Sequence, residues 1–222
     1  MTCHDVLERL KALGSEKVRR QTARKDAGDQ QYGVLSGDMR KIAKEIKTDH
    51  ALALELWKTD NLDAMMLSTL IIKPKELTAQ ELDQMVHDMK WAYLADWVSS
   101  YVVKVHPDNE ALREKWMTSD HPMCARMAWS LTADKISKEP SSLDLDALLD
   151  RIEREMGHAH ELPQWTMNFA LAAIGINSPA HRDRAIAIGE KLGVYRDYPT
   201  PKGCTSPFAP IWISEMVRRQ TA

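Results

Sequence analysis

The stretch WAYLADWVSSYVV, residues 91–103, is apolar, aromatic or small at twelve of its thirteen positions; the exception is Asp96. A carboxylate set alone among apolar side chains is costly unless a cation pairs with it or water reaches it. On a helix, its neighbours three and four residues away are Ala92, Tyr93, Ser99 and Ser100, all small or hydroxyl-bearing except for one phenol ring. Trp91, Leu94, Val98, Tyr101 and Val102 gather on another face and suit the core. Asp96 therefore faces a groove where a backbone or ligand could approach, or plain solvent, or an arginine inside the helical array.

The second chemical feature is basic. KVRRQTARK, residues 17–25, holds five cations and no acid. On a helix Arg20 and Arg24 share a face, and Lys17 lies two turns from Arg24, so Lys17, Arg20 and Arg24 are the best phosphate-contact candidates on the chain. A solvated helix surface has the same pattern. Arg40, Lys41, Lys44, Arg182 and Arg184 form weaker groups. His158 and His160 in GHAHE have no matching ligand cluster elsewhere, so no metal site is expected. Cys204, beside Lys202 in PTPKGCTSP, reads as a loop cysteine rather than a reactive thiol. Glycine-rich phosphate loops and nucleophile elbows are absent from the sequence.

The elements that must carry these residues read as helix throughout. Val6, Leu7, Leu10 and Leu13 form one stripe closed by Gly14, and Met39, Ile42 and Ile46 form another. Thr78 and Glu81 fit a capping box before LDQMVHDM. WAYLADWVSSYVVKV reads as helix up to Pro107, while Pro122, Pro163, Pro179 and Pro207 sit where a first-turn proline is tolerated. Ser178 and Ser206 are natural N-caps. The proline- and glycine-rich stretch VYRDYPTPKGCTSPFAP, residues 194–210, is the one irregular segment expected. No convincing strand is present.

Ten or more short helices on short turns make an all-α fold of stacked helical hairpins. The uneven recurrence of Trp57, Trp97 and Trp129 fits degenerate HEAT-like repeats, with a compact helical domain as the alternative. The 222 residues, 44% hydrophobic, suffice for a sizeable core. A net charge of −2 neither implies nor excludes a nucleic-acid partner, because a local basic face can exist on a neutral protein. Three scattered cysteines suggest a reducing cytoplasm, and neither a membrane span nor a secretory signal is legible.

YGVLSGDMRKIAKEIKTDHALALELWKTDNLDAMMLSTLI, followed in order by WAYLAD, CARMAWSL, WTMNFALAAIGINSP and LGVYRDYPTPKGCTSP, resembles AlkD-type DNA alkylation repair proteins over most of the chain. The resemblance implies a single HEAT-like solenoid over residues 1–222, curved into a C shape with a concave DNA-binding face. It implies a DNA glycosylase that removes cationic N3- or N7-alkylpurines from double-stranded DNA, with no cofactor. An alkylated purine is already a good leaving group, so an acid is not needed. A carboxylate that stabilises the developing sugar cation suffices, and aromatic faces favour the cationic nucleotide.

By position, Asp96 matches the family aspartate and Arg126 the family arginine, which would pair with Asp96 or hold a phosphate. The aromatic surface would come from Trp91 and from Phe169 with Trp165. The sequence departs from the family in several places. Trp91 stands five residues before Asp96 rather than four, so aligning the tryptophans instead puts Ala95 in the aspartate's place; Phe169 replaces a tryptophan, and Ala172 and Met65 or Met66 replace arginines. The expectation is thus a cytoplasmic, monomeric DNA-repair protein with Asp96 and Arg126 catalytic. The rival is a non-catalytic scaffold binding DNA structures or a protein partner.

Overall fold

The structure, a computed structural model, describes residues 1–23 and 28–220. Among these residues there are helices and turns but no strand. The chain falls into two compact units, Met1–Leu112 and Arg113–Ala222.

The first unit contains α1 (Cys3–Ala12), α2 (Glu16–Ala23), α3 (Ser36–Ile46), α4 (His50–Trp57), α5 (Leu62–Ile71), α6 (Ala79–Asp88) and α7 (Ala92–Tyr101); α8 (Asn109–Met117) begins in it. Its hub is α5, which packs against α1, α3, α4 and α7. LDAMMLSTLI has no polar stripe because almost every residue of α5 is buried, including Met65 and Met66, at 3% and 1% exposure. Thr78 and Glu81 form the expected capping box on α6, and Thr2 and Asp5 form a second on α1.

One acid is buried with this hub. Asp63, 3% exposed, stands in the first turn of α5. Its Oδ2 accepts the amides of Tyr32 (2.6 Å) and Gly33 (3.0 Å), and its Oδ1 accepts that of Val34 (3.0 Å). Three successive amides of the segment entering α3 thus close on one carboxylate. Burial pushes the Asp63 carboxyl above the ordinary aspartate range, and the amides pull the other way.

The second unit contains α9 (Pro122–Lys138), α10 (Leu145–Glu155), α11 (Glu161–Asn177), α12 (Arg182–Leu192) and α13 (Ala209–Gln220). Here α11 is the hub, packed along α9 and touching α10, α12 and α13. Its buried Ala170, Ala172, Ala173 and Gly175 let neighbouring helices come close. A Cβ on Gly175 would lie 2.5 Å from Ile213 Cδ1. Trp129, Leu149, Ile152, Leu171, Ile174 and Ile213 form the centre of the core.

Some boundaries differ from the expectation. Helix α7 stops at Tyr101, and a 3-10 turn covers Val103–Val105. Pro207 is not inside a helix; α13 begins at Ala209, with Pro210 in its first turn, and Ser206 Oγ accepts the Phe208 amide. Tyr101 lies at the surface rather than in the core, since its hydroxyl reaches a polar partner there. No helix among the described residues is long and apolar enough to cross a membrane.

Replacing Asp63 by alanine leaves three amides without their acceptor. The expected loss is about 3 kcal/mol of stability, read as a lower urea midpoint with an unchanged slope. An unchanged midpoint would show that the segment at residues 32–34 holds itself in place.

Candidate functional site

In the first unit, α7 is set by two faces. Leu94, Ala95, Val98, Ser99 and Val102 are buried, while Asp96 and Ser100, one turn apart, are exposed. Tyr93 is half-buried beside them. Burial raises its phenol, the charges of Asp63 and Asp96 raise it further, and Arg40 opposes them. Arg40 of α3 lies 5.1 Å above the Trp97 ring and donates to Tyr101 Oη at 2.9 Å. The Trp97 and Tyr101 rings are 5.5 Å apart. Asp96 thus shares α7 with an aromatic, cation-bearing surface.

Trp91 occupies a different environment. It is the extended residue preceding α7 and is 8% exposed. Gly28 rests against its indole so closely that a Cβ there would lie 2.1 Å from Nε1, and Gly28 has a φ of +67°. Among the phosphate candidates, Lys17 and Arg20 are exposed on α2, a helix with no buried residue. Glu16, just outside the basic run, accepts from Arg20 at 3.0 Å and from Arg19 at 3.3 Å. Arg24 lies outside the described residues.

In the second unit Arg126 is 5% exposed on α9 and donates to the Leu162 carbonyl, 3.3 Å away, at the start of α11. That helix carries Trp165 and Phe169, whose rings are 5.2 Å apart. Trp165 also meets Tyr195 edge-on at 5.1 Å and Tyr198 at 5.7 Å, and Phe169 meets Trp212 of α13 edge-on at 5.0 Å. The return segment 193–208 is pinned around these rings. Gly193 ends α12 in the left-handed conformation, and its amide donates to the Gly189 carbonyl. Arg196 donates to the Glu190 side chain at 2.8 Å and lies 4.6 Å above Phe208. Tyr195 itself is left-handed, with a φ of +62°. Burial pushes its phenol up to about 12, with Arg126 pulling in the opposite direction. Thus Trp165, Phe169 and Arg126 belong to one neighbourhood through Tyr195.

Tyr195, Tyr198 and Trp212 complete an aromatic cluster that helical periodicity does not reveal. Its only trace in the sequence is a pair of tyrosines three apart in a segment rich in proline. Ala172, at the position of a family arginine, is 1% exposed in the core. His160 is a helix cap whose Nδ1 accepts the Leu162 amide at 3.2 Å.

A family model described as DNA alkylation repair enzyme matches residues 6–212. The uncharacterized protein Lin0241 of Listeria innocua serovar 6a is 24% identical over 192 residues, which cover 85% of this chain and 84% of that protein. The uncharacterized protein Lmo0209 of Listeria monocytogenes serovar 1/2a is 24% identical over 194 residues, 86% of this chain and 84% of that one. A solved structure, described as a new family of proteins related to the HEAT-like repeat DNA glycosylases with affinity for branched DNA structures, superposes with a TM-score of 0.82. It is 23% identical, and the match covers 99% of this chain and 95% of that one. The all-helical, HEAT-like repeat fold expected from the sequence is borne out.

Ultraviolet absorbance titration tests the packing around α11. One tyrosine is expected to ionise near pH 12, and Tyr195→Phe removes that step. Loss of a tyrosine that titrates in the ordinary range would place Tyr195 in solvent instead.

Proposed function

The chain belongs to the DNA alkylation repair enzyme family, and from that premise we propose that it binds double-stranded DNA and hydrolyses the N-glycosidic bond of cationic N3- or N7-alkylated purines. The bond from the sugar to the purine nitrogen breaks, and its electron pair neutralises the leaving base. Water then adds to the sugar carbon and gives up a proton. The positive charge that develops on the sugar is the feature a protein can stabilise.

The observation that carries this reading is the solvent exposure of Asp96 on an otherwise apolar helix. A carboxylate with access to solvent can come close to the sugar of a docked strand and oppose the positive charge that develops there. Trp165 and Phe169 supply ring faces to a cationic nucleotide. Arg126 is a positioning residue in this reading: it holds the start of α11, the helix that bears those rings. Arg20 contacts a phosphate by exchanging Glu16 for DNA, and the exposed Lys17 on the same helix adds a second contact. Trp91, covered by Gly28, supports the start of α7.

A second reading, DNA binding without hydrolysis, is favoured by specific positions. Trp91 is covered, and the family resemblance calls for arginine at Ala172 and at Met65 or Met66, all of them buried apolar residues. That reading agrees with what is described for the structural relative, whose affinity is for branched DNA.

Duplex DNA methylated at guanine N7 separates the two. Release of free base, lowered about 100-fold or more by Asp96→Asn with duplex binding retained, supports hydrolysis. Binding with no release favours the second reading. The salt dependence of duplex affinity reports the phosphate contacts: Arg20→Ala is expected to reduce its slope by about 1. An unchanged slope would remove α2 from the interface.

A further inference from the structure

Beside the rings of the second unit lies a slot of about 230 Å³ walled by Trp165, Phe169, Trp212 and Tyr198. The prolines 199, 201 and 207 continue the wall, and Thr200, Cys204, Thr205 and Ser206 place hydroxyl and thiol groups around it. None of its lining residues is charged. A fully apolar cavity of about 150 Å³ takes one benzene ring, so this slot has room for a larger flat ring. Cations stand outside the lining. Lys202 is exposed in the same segment, and Arg219, which is paired with Glu215 at 2.8 Å, also donates to Thr205 Oγ1 at 3.3 Å. A neutral floor of ring faces with basic residues beyond it is complementary to a nucleotide, whose base is flat and whose phosphate is anionic.

The arrangement is built at a cost to the backbone. Five of the fourteen aromatic residues of the chain meet here, which singles the cluster out from ordinary core packing. Tyr195 adopts a left-handed conformation that a bulky residue rarely holds, and such strain gathers at functional sites. Tyr198 remains 45% exposed although its ring touches both Trp165 and Tyr195. An exposed ring at the mouth of a ring-lined slot is free to cover an incoming planar group.

We propose that the slot bounded by Trp165, Phe169, Trp212 and Tyr198 receives one unstacked nucleobase of a DNA strand. The proposal rests on the DNA-binding reading above and adds a contact that a fully paired duplex does not make. It gives the protein a preference for bulges, mismatches and branch points, where a base is already out of the stack. Stacking supplies the affinity, so the preference for one base over another is weak.

The test uses the full chain and a fluorescent adenine analogue in three probes: a single-base bulge, the same duplex fully paired, and the free deoxyriboside. Saturation with protein is expected to quench the bulged analogue about twofold or more, because stacking on a ring alters its emission. Tyr198→Ala, at an exposed position, and Trp212→Leu should each abolish that quench and weaken bulge affinity by about tenfold. Affinity for the paired duplex stays unchanged, and circular dichroism confirms that both variants fold. Duplex binding with unaltered emission overturns the slot while leaving DNA binding intact, as does a quench that persists in both variants. A free deoxyriboside that binds as tightly as the bulge overturns the assignment to DNA. Failure to bind any duplex overturns the DNA-binding reading itself, and the slot with it.

Discussion

A carboxylate taken out of water must be given donors in return, and the first unit is organised around one that is. Asp63 lies in the first turn of the most buried helix and closes on three consecutive amides thirty residues earlier in the chain. Those amides lead into α3, and α3 carries the Arg40 that stacks on Trp97 and reaches Tyr101. The same residue type on α7, Asp96, is exposed. Two apolar helices each carry an acid. Burial assigns one of them to holding the fold and leaves the other at the surface.

The second unit meets a different constraint. Helix α11 must touch four neighbours, which requires small residues at its crowded positions. Ala172 and Gly175 fulfil this, and an arginine at 172 would have to enter the core. Its less buried side carries Trp165 and Phe169, around which the segment after α12 folds. Close packing on one side and ring packing on the other are thus properties of a single helix. The left-handed Tyr195 is the point where the returning chain conforms to the rings.

Features with local causes were legible in the sequence. The capping box at Thr78 and Glu81, the proline opening α9 and the stripe in α3 follow from spacing within a few residues. The irregular segment near the C-terminus was announced by its prolines and glycines. Features with distant causes were not. Gly28 covers Trp91 from 63 positions away in the chain, a distance that no helical period encodes. Asp63 is not singled out by the sequence because its partners are backbone amides, which leave no trace in residue types. Glu16 escaped notice because it lies one residue outside the basic run, yet it pairs with two of the cations in it. Tyr101 was misplaced because periodicity counts a phenol as apolar, whereas its hydroxyl found Arg40 at the surface.

The division between the two acids is the central claim, and crossing the same substitution at both positions tests it most directly. Aspartate-to-asparagine changes at 63 and at 96 are compared for unfolding midpoint and for base release per folded molecule. The account predicts that position 63 lowers the midpoint and spares release per folded molecule, while position 96 stops release in a protein that still folds. A stability loss at 96 with release intact, or release lost equally at both positions, would contradict it.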